Sequence, residues 1–214
     1  MDPTDPNQLA SLASLFQQTL NPEQRKPAED QIGQLQAQPR FGFLLLALVQ
    51  SESTSTAIRL ASAIQFKNLC KTRWNVDAET EDPVFSAISD DEKQAIRQQL
   101  VPVLVSLASA STPSQAILSQ MNESVALVAS SDFPEAWPAL IDELVSQLST
   151  DNHHVLLSVL ATSHAIFKQW RSQFRSDALY SEINLVLGKM ANPLLELLQR
   201  MHGCLLYTSD AADE

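Results

Sequence analysis

The chain has 214 residues, 44% of them hydrophobic, which is enough to bury the core of one large or two ordinary domains; four glycines are too few for the hairpin turns and bulges of a sheet protein. A formal net charge of −11 repels a phosphate backbone, so nucleic-acid binding is set aside unless a concentrated basic patch exists. Two distant cysteines make no disulfide framework and fit a reducing compartment.

Abundant Leu, Ala, Gln and Ser point to helices joined by short turns, with eleven prolines as punctuation. The start, MDPTDPNQ, has neither the basic segment nor the apolar run of a signal peptide. Leu9, Leu12, Ala13, Phe16 and Leu20 then recur at i, i+3, i+4, i+7 and i+11, the stripe of an amphipathic helix. Asn21-Pro22-Glu23-Gln24 ends that helix and opens a second, with Asn21 as N-cap, Pro22 at the first helical position and Gln24 completing a capping box. Ala28, Ile32 and Leu35 line this second helix, which stops near Gln38-Pro39; a short third helix follows from Phe41 to Gln50. The longest apolar run, Phe43 to Val49, is far too short to cross a bilayer, so a soluble intracellular protein without membrane insertion is expected, its Asn122-Glu123-Ser124 sequon unglycosylated.

The stretch Thr56 to Trp74 organises the chain. Its first half is apolar nearly all round, leaving Arg59 and Ser62 to face water, so neighbours must surround it. In its last turns Lys67, Asn68 and Lys71 fall on one face, and Arg73 follows. From Asn75 to Ser89 the pattern lapses; Asp77, Glu79, Glu81 and Asp82 read as a solvated acidic loop rather than a partner contact. Ser89-Asp90-Asp91-Glu92 is a capping box for a helix carrying Ile96, Leu100, Val103, Leu104 and Leu107, kinked at Pro102.

Thr112-Pro113-Ser114-Gln115 opens a helix with Leu118, Met121, Val125 and Val128. The next helix, with Leu140, Ile141, Leu144, Val145 and Leu148, starts either at Pro134 with a bend or cleanly at Pro138. After a turn at 150–152, Leu156, Val159, Leu160, Phe167 and Trp170 share one face. Ser176 opens a last helix, striped by Leu179, Ile183, Val186, Leu187, Met190, Leu194 and Leu198, which should bend at Pro193 and end near Arg200. Its apolar face is too continuous for the polar cap that closes a helical array.

Helix pairs thus begin near residues 8, 41, 90, 134 and 176, at intervals scattered around the roughly 40–47 residues of a HEAT-type hairpin. The expected fold is all-α, an α-solenoid of about four and a half such hairpins rather than a four-helix bundle. The four histidines lack metal-ligand neighbours, the glycines stand alone, and no nucleophile elbow occurs, so no enzyme, metal or cofactor is expected. Trp74, Trp137 and Trp170 read as packing between repeats rather than a peptide-binding ladder.

LNPEQRKPAEDQIGQL, the helix containing IQFKN, and DFPEAWPALIDELVSQL together resemble the N-terminal region of the importin-β (karyopherin-β) superfamily of nuclear transport receptors. IFKQWRSQFRSDALYSEINLVL is similar to the branch that re-exports importin-α, and the likeness runs from Leu9 to Leu198. The resemblance implies a receptor that binds the GTP form of the GTPase Ran, carries importin-α out of the nucleus, and passes the pores of the nuclear envelope on weak contacts with Phe-Gly nucleoporins. It would shuttle between nucleus and cytoplasm. It also implies that Ran lies against the second helices of the first hairpins, here Pro22 to Gln36, Thr56 to Trp74 and Pro113 to Ser130. On that basis Lys67, Asn68 and Lys71, with Arg73 nearby, are the candidate Ran-facing residues. The plain alternative is that cations in a last helical turn complement the helix dipole whatever they bind. A HEAT scaffold, such as a phosphatase regulatory subunit, would instead bind partners without regard to GTP.

Residues 202–214, HGCLLYTSDAADE, continue no stripe and resemble adaptor read-through. The expected organisation is a HEAT segment over 1–201 and a non-native or unstructured tail over 202–214. Because the family's chains are far longer, the segment is expected to hold the first repeats of a larger receptor.

Overall fold

The computed structural model describes residues 1–75 and 88–210, with side chains through residue 202. Every regular element among the described residues is helical. The acidic residues Asp77, Glu79, Glu81 and Asp82 lie outside them.

Local chemistry sets most helix starts. Asp5 caps α1 (Pro6–Thr19), its carboxylate accepting the Asn7 N–H at 2.9 Å. The second helix starts later than the sequence reading: α2 spans Arg25–Gln36, and Gln24 makes no side-chain cap. Asn21 spends its amide oxygen on the Glu23 N–H two residues on, closing a turn where a capping box was expected. The next helix, α3 (Phe41–Gln50), is buried almost all round. Before it stands Arg40, at φ 66°, a left-handed conformation that costs a non-glycine residue roughly 1 kcal/mol or more. The Arg40 N–H donates to Glu92 Oε2 at 3.1 Å. Glu92 therefore does not complete its own capping box; Ser89 accepts the Glu92 N–H at 3.3 Å, while the Glu92 carboxylate reaches back to the preceding hairpin.

The organising stretch is α4 (Thr56–Arg73), and its wet face differs from expectation. Ser62 is fully buried and Ile64 is 39% exposed. The Ser62 hydroxyl returns its hydrogen bond to the Ile58 carbonyl at 2.9 Å, so it packs as a small residue with its polarity satisfied within the helix. Arg59 is half-buried and donates to the Val49 carbonyl at 2.8 Å, tying α4 to the end of α3. Gly42 on α3 allows close approach here: a Cβ would lie 3.2 Å from Ile96 and 3.3 Å from Leu69.

Then follow α5 (Asp90–Ser109), with Pro102 inside it on the exposed side, and α6 (Gln115–Asp132). The ambiguity over the next start resolves in favour of Pro138: α7 (Leu140–Ser146) begins cleanly and continues as a 3-10 turn, Gln147–Ser149. The helix α8 (His153–Trp170) is capped by Asn152, and its buried face is Val155, Ser158, Val159, Thr162, Ser163 and Ile166. That face is rotated from the expected stripe, in which Leu156, Leu160, Phe167 and Trp170 prove only half-buried. The last helix, α9, runs Asp177–Asp210 and does not end near Arg200, so 202–210 is helical backbone rather than unstructured.

Two rows of helices result. In one, α1 packs on α3, α3 on α5, α5 on α7 and α7 on α9; in the other, α4 packs on α6 and α6 on α8. The rows share one continuous apolar core reaching from Leu12 to Leu197. This is the expected α-solenoid of stacked helical hairpins, ending on the unpaired α9.

One buried ionic cluster ties the rows together. Asp132, at the end of α6, accepts the Trp74 indole N–H at 3.0 Å and pairs with the Arg97 guanidinium of α5. Its backbone carbonyl accepts the N–H groups of Ala136 and Trp137 at 2.8 and 2.9 Å. Trp74 and Trp137 are both buried, as the packing reading of these residues required, while Trp170 is half-buried against Phe167.

The helix α9 packs chiefly on α7 and the 3-10 turn rather than on α8. Lys189 meets Asp142 at 2.7 Å, and Arg200 donates to the carbonyls of Leu148 and Ser149. Among the described residues, the side-chain bond from α8 to α9 is that of Trp170, which donates to Glu182 at 2.8 Å. Tyr180, Leu187, Leu195 and Leu198 are each more than half exposed.

Two outcomes follow from this packing. Asp132→Ala should lower unfolding free energy by about 3–5 kcal/mol, because it strands the Arg97 charge and the Trp74 donor; chemical denaturation measures it. The exposed α9 stripe, at roughly 25 cal/mol for each Å² left in water, should make the isolated chain self-associate with rising concentration. Light scattering should detect this, and Leu187→Glu with Leu198→Glu should abolish it.

Candidate protein-interaction face

The second-helix row presents the candidate residues unequally. Asn68 and Lys71 are exposed on α4. Lys67 is not free: its side chain is 20% exposed, and its ammonium meets the Glu123 carboxylate of α6 at 3.2 Å. Neighbouring helices thus bring a cation and an anion from 56 residues apart into one pair.

Arg73 departs from the sequence reading altogether. It is buried, and its guanidinium donates to the carbonyl of Gln36, the last residue of α2. Desolvation by burial lowers its pKa from the ordinary arginine value. A guanidinium spent on the carbonyl end of α2 holds the first hairpin to the second and cannot face a partner. The reason is helical phase: Arg73 lies four residues past Leu69 and so follows the buried face, whereas Lys71 lies on the opposite one.

Between α6 and α8 polar bonds run beside the apolar contact. Asn122 Oδ1 accepts from Ser158 Oγ at 3.3 Å and Thr162 Oγ1 at 2.9 Å, and Gln169 donates to the Ala126 carbonyl at 3.1 Å. These bonds fix the register of two helices whose small buried residues would otherwise slide. The half-buried Asn122 amide is thereby engaged within the fold.

Among the described residues no group of three or more His, Cys, Asp or Glu could hold a metal ion, and no helix is long and apolar enough to cross a membrane. The rings of His153 and His154 lie against each other at 4.0 Å. Cys70 is buried as a small apolar residue, and burial pushes its thiol pKa up. The exposed side chains of this row are of mixed kind: Asn68 and Lys71 on α4, Glu123 on α6, and Lys168 on α8, with Ile64 and Leu157 among them.

Comparison with known proteins gives this row a context. The importin-beta N-terminal domain matches residues 28–106, from α2 into α5, and the Cse1 family matches residues 166–214, from the end of α8 through the chain's last residue. The chain belongs to the importin-β superfamily. Its relatives include exportin-2 of Drosophila melanogaster, 35% identical over 93% of this chain and 20% of that protein. Another is the importin alpha re-exporter of Saccharomyces cerevisiae, 36% identical over 89% of this chain and 19% of the relative. A solved structure of the exportin Cse1 in its cargo-free, cytoplasmic state superposes with a TM-score of 0.78 at 33% identity, covering 89% of this chain and 20% of that one. The chain therefore spans about a fifth of the length of the relatives it matches.

Sequence reasoning missed Glu123, since nothing local marks it as the partner of Lys67. The position has a consequence for mutagenesis. Lys67→Glu sets two carboxylates together and should cost about 1 kcal/mol, a modest figure because the pair is partly solvent-screened. Adding Glu123→Lys should restore most of that loss, as a double-mutant cycle in thermal unfolding would show.

Proposed function

We propose that this chain is the Ran-binding part of a nuclear transport receptor that returns importin-α from the nucleus to the cytoplasm. GTP-loaded Ran would sit on the second-helix row, against Asn68 and Lys71 of α4, with the Lys67–Glu123 pair at the edge of the contact. The observation that carries the reading is the exposed cationic end of α4, on the second-helix row of a chain belonging to this superfamily. Its relatives named exportin-2 and importin alpha re-exporter support the importin-α cargo.

The physical role of the fold in such a receptor is shape. Stacked hairpins hold side chains from separate repeats in fixed relation over a long surface, so a large partner can be recognised without a deep pocket. In this reading the protein is a binding protein, not a catalyst; nucleotide hydrolysis belongs to Ran. Passage through nuclear pores on Phe-Gly nucleoporins, and shuttling between nucleus and cytoplasm, complete the proposal.

Immobilised chain should retain Ran loaded with a non-hydrolysable GTP analogue and not Ran loaded with GDP. Lys71→Glu should weaken that retention roughly tenfold, about 1.4 kcal/mol, at an unchanged melting temperature. Lys71 is the better probe than Lys67, whose reversal also disturbs the α4–α6 contact. Retention that ignores the nucleotide would point instead to a HEAT scaffold, and unchanged affinity in Lys71→Glu would reduce these cations to helix-end charges.

A further inference from the structure

Residues 152–176 contain no Asp or Glu, in a chain that has 25 acidic and 14 basic residues. The charged side chains of this stretch are Lys168, Arg171 and Arg175, all exposed. They contribute +3, so the rest of the chain carries −14 of the total −11. Among the described residues none of the three belongs to an ion pair. The carboxylate of Glu182, the next after Asp177, is occupied by the Trp170 indole.

Between Arg171 and Arg175 in the chain stands Phe174, 91% exposed. It is not on a loose strand. The end of α8 is extended by backbone bonds from Arg171, Ser172 and Gln173 to Lys168, Gln169 and Trp170, and the Ser172 hydroxyl returns to the Gln169 carbonyl at 2.8 Å. On the other side Ser176 caps α9, accepting the Leu179 N–H at 3.2 Å. Earlier on α8, Phe167 stacks on Trp170 at 4.8 Å between ring centroids. An exposed aromatic ring on a tightly turned corner, flanked in the chain by Arg171 and Arg175, combines two side-chain types enriched at protein interfaces.

We propose that the α8–α9 corner, formed by Lys168, Arg171, Phe174 and Arg175, is a docking surface for an acidic segment of another protein, one whose own apolar side chain covers Phe174. Charge complementarity selects the occupant. The guanidinium groups can take carboxylates in paired hydrogen bonds, and burial of the Phe174 ring excludes water from those bonds. A long polyanion such as nucleic acid would gain three cations here and meet −14 over the rest of the chain, whereas a short acidic segment engages the corner alone. The surface lies on a different helix from Lys71 and stands whether or not Ran binds α4.

The test is fluorescence anisotropy of the whole chain with a short labelled peptide of Asp and Glu interrupted by one Phe and one Leu. The same peptide with Lys for every acid, and a single-stranded oligothymidylate, serve as comparisons. Binding of the acidic peptide should weaken as salt rises and should fall roughly tenfold in Phe174→Ala. It should be lost in the Arg171→Glu, Arg175→Glu double variant and be unchanged in Lys71→Glu. Melting temperatures should not move, because all these side chains are exposed. Equal binding by wild type and Phe174→Ala, tighter binding of the oligothymidylate, no binding of the acidic peptide, or a corner occupied by a second copy of the chain in sedimentation would each overturn the proposal.

Discussion

A single carboxylate, Asp132, joins three successive helices, α4, α5 and α6. It ends α6, receives the indole of Trp74 from the end of α4, and pairs with Arg97 of α5. Removing a charge from water is costly, and the cost is offset only when the geometry satisfies the remaining lone pairs. Here both carboxylate oxygens are used and the backbone carbonyl takes two further donors, so the cluster has one arrangement. Apolar packing along the solenoid tolerates small slips between hairpins; a buried ion pair does not. Just beside it Asn75 donates to Ser131 at 2.6 Å and the Ile88 N–H to the Arg73 carbonyl at 3.4 Å. Both ends of the long connection between α4 and α5 are thus fastened where α4, α5 and α6 meet.

Stacked hairpins need such register devices because their interfaces are repetitive. Each junction has its own. Arg73 closes the carbonyl end of α2, Glu92 restrains Arg40 before α3, Asn122 and Gln169 stitch α6 to α8, and Arg200 closes the 3-10 turn after α7. In every case a polar side chain from one hairpin satisfies a backbone group or side chain of another. Orphaned carbonyls at helix ends are costly when buried, so a side chain that pairs with them acts as a cap across repeats. The charged residues most conspicuous in the sequence are therefore divided between holding the array together and facing outward.

That division decides which residues can serve a partner. Of the four candidates on α4, Asn68 and Lys71 are outward, Lys67 is half committed to Glu123, and Arg73 is wholly inward. Cations that read alike in sequence thus carry different duties. The corner after α8 shows the reverse case: Phe174 lies past the stripe that ends at Trp170 and is 91% exposed, and among the described residues Lys168, Arg171 and Arg175 belong to no ion pair.

The helical class, the pairing of helices, the hairpin period and the superfamily were all legible in the sequence. They rest on local rules: apolar spacing along a helix, prolines and capping residues at its ends, and a repeat that recurs. Ser89, with its capping hydroxyl, and the clean apolar run of α3 appear in the structure as their residues imply. What local rules could not supply was phase against neighbours. Ser62 faces inward, the buried stripe of α8 turns toward its small residues, α9 leans on α7, and Arg73 points into the core, because the packing partners come from other hairpins. A helix alone fixes which residues share a face; only the helices packed around it decide which of its faces is dry, and with it which charges remain to meet a partner.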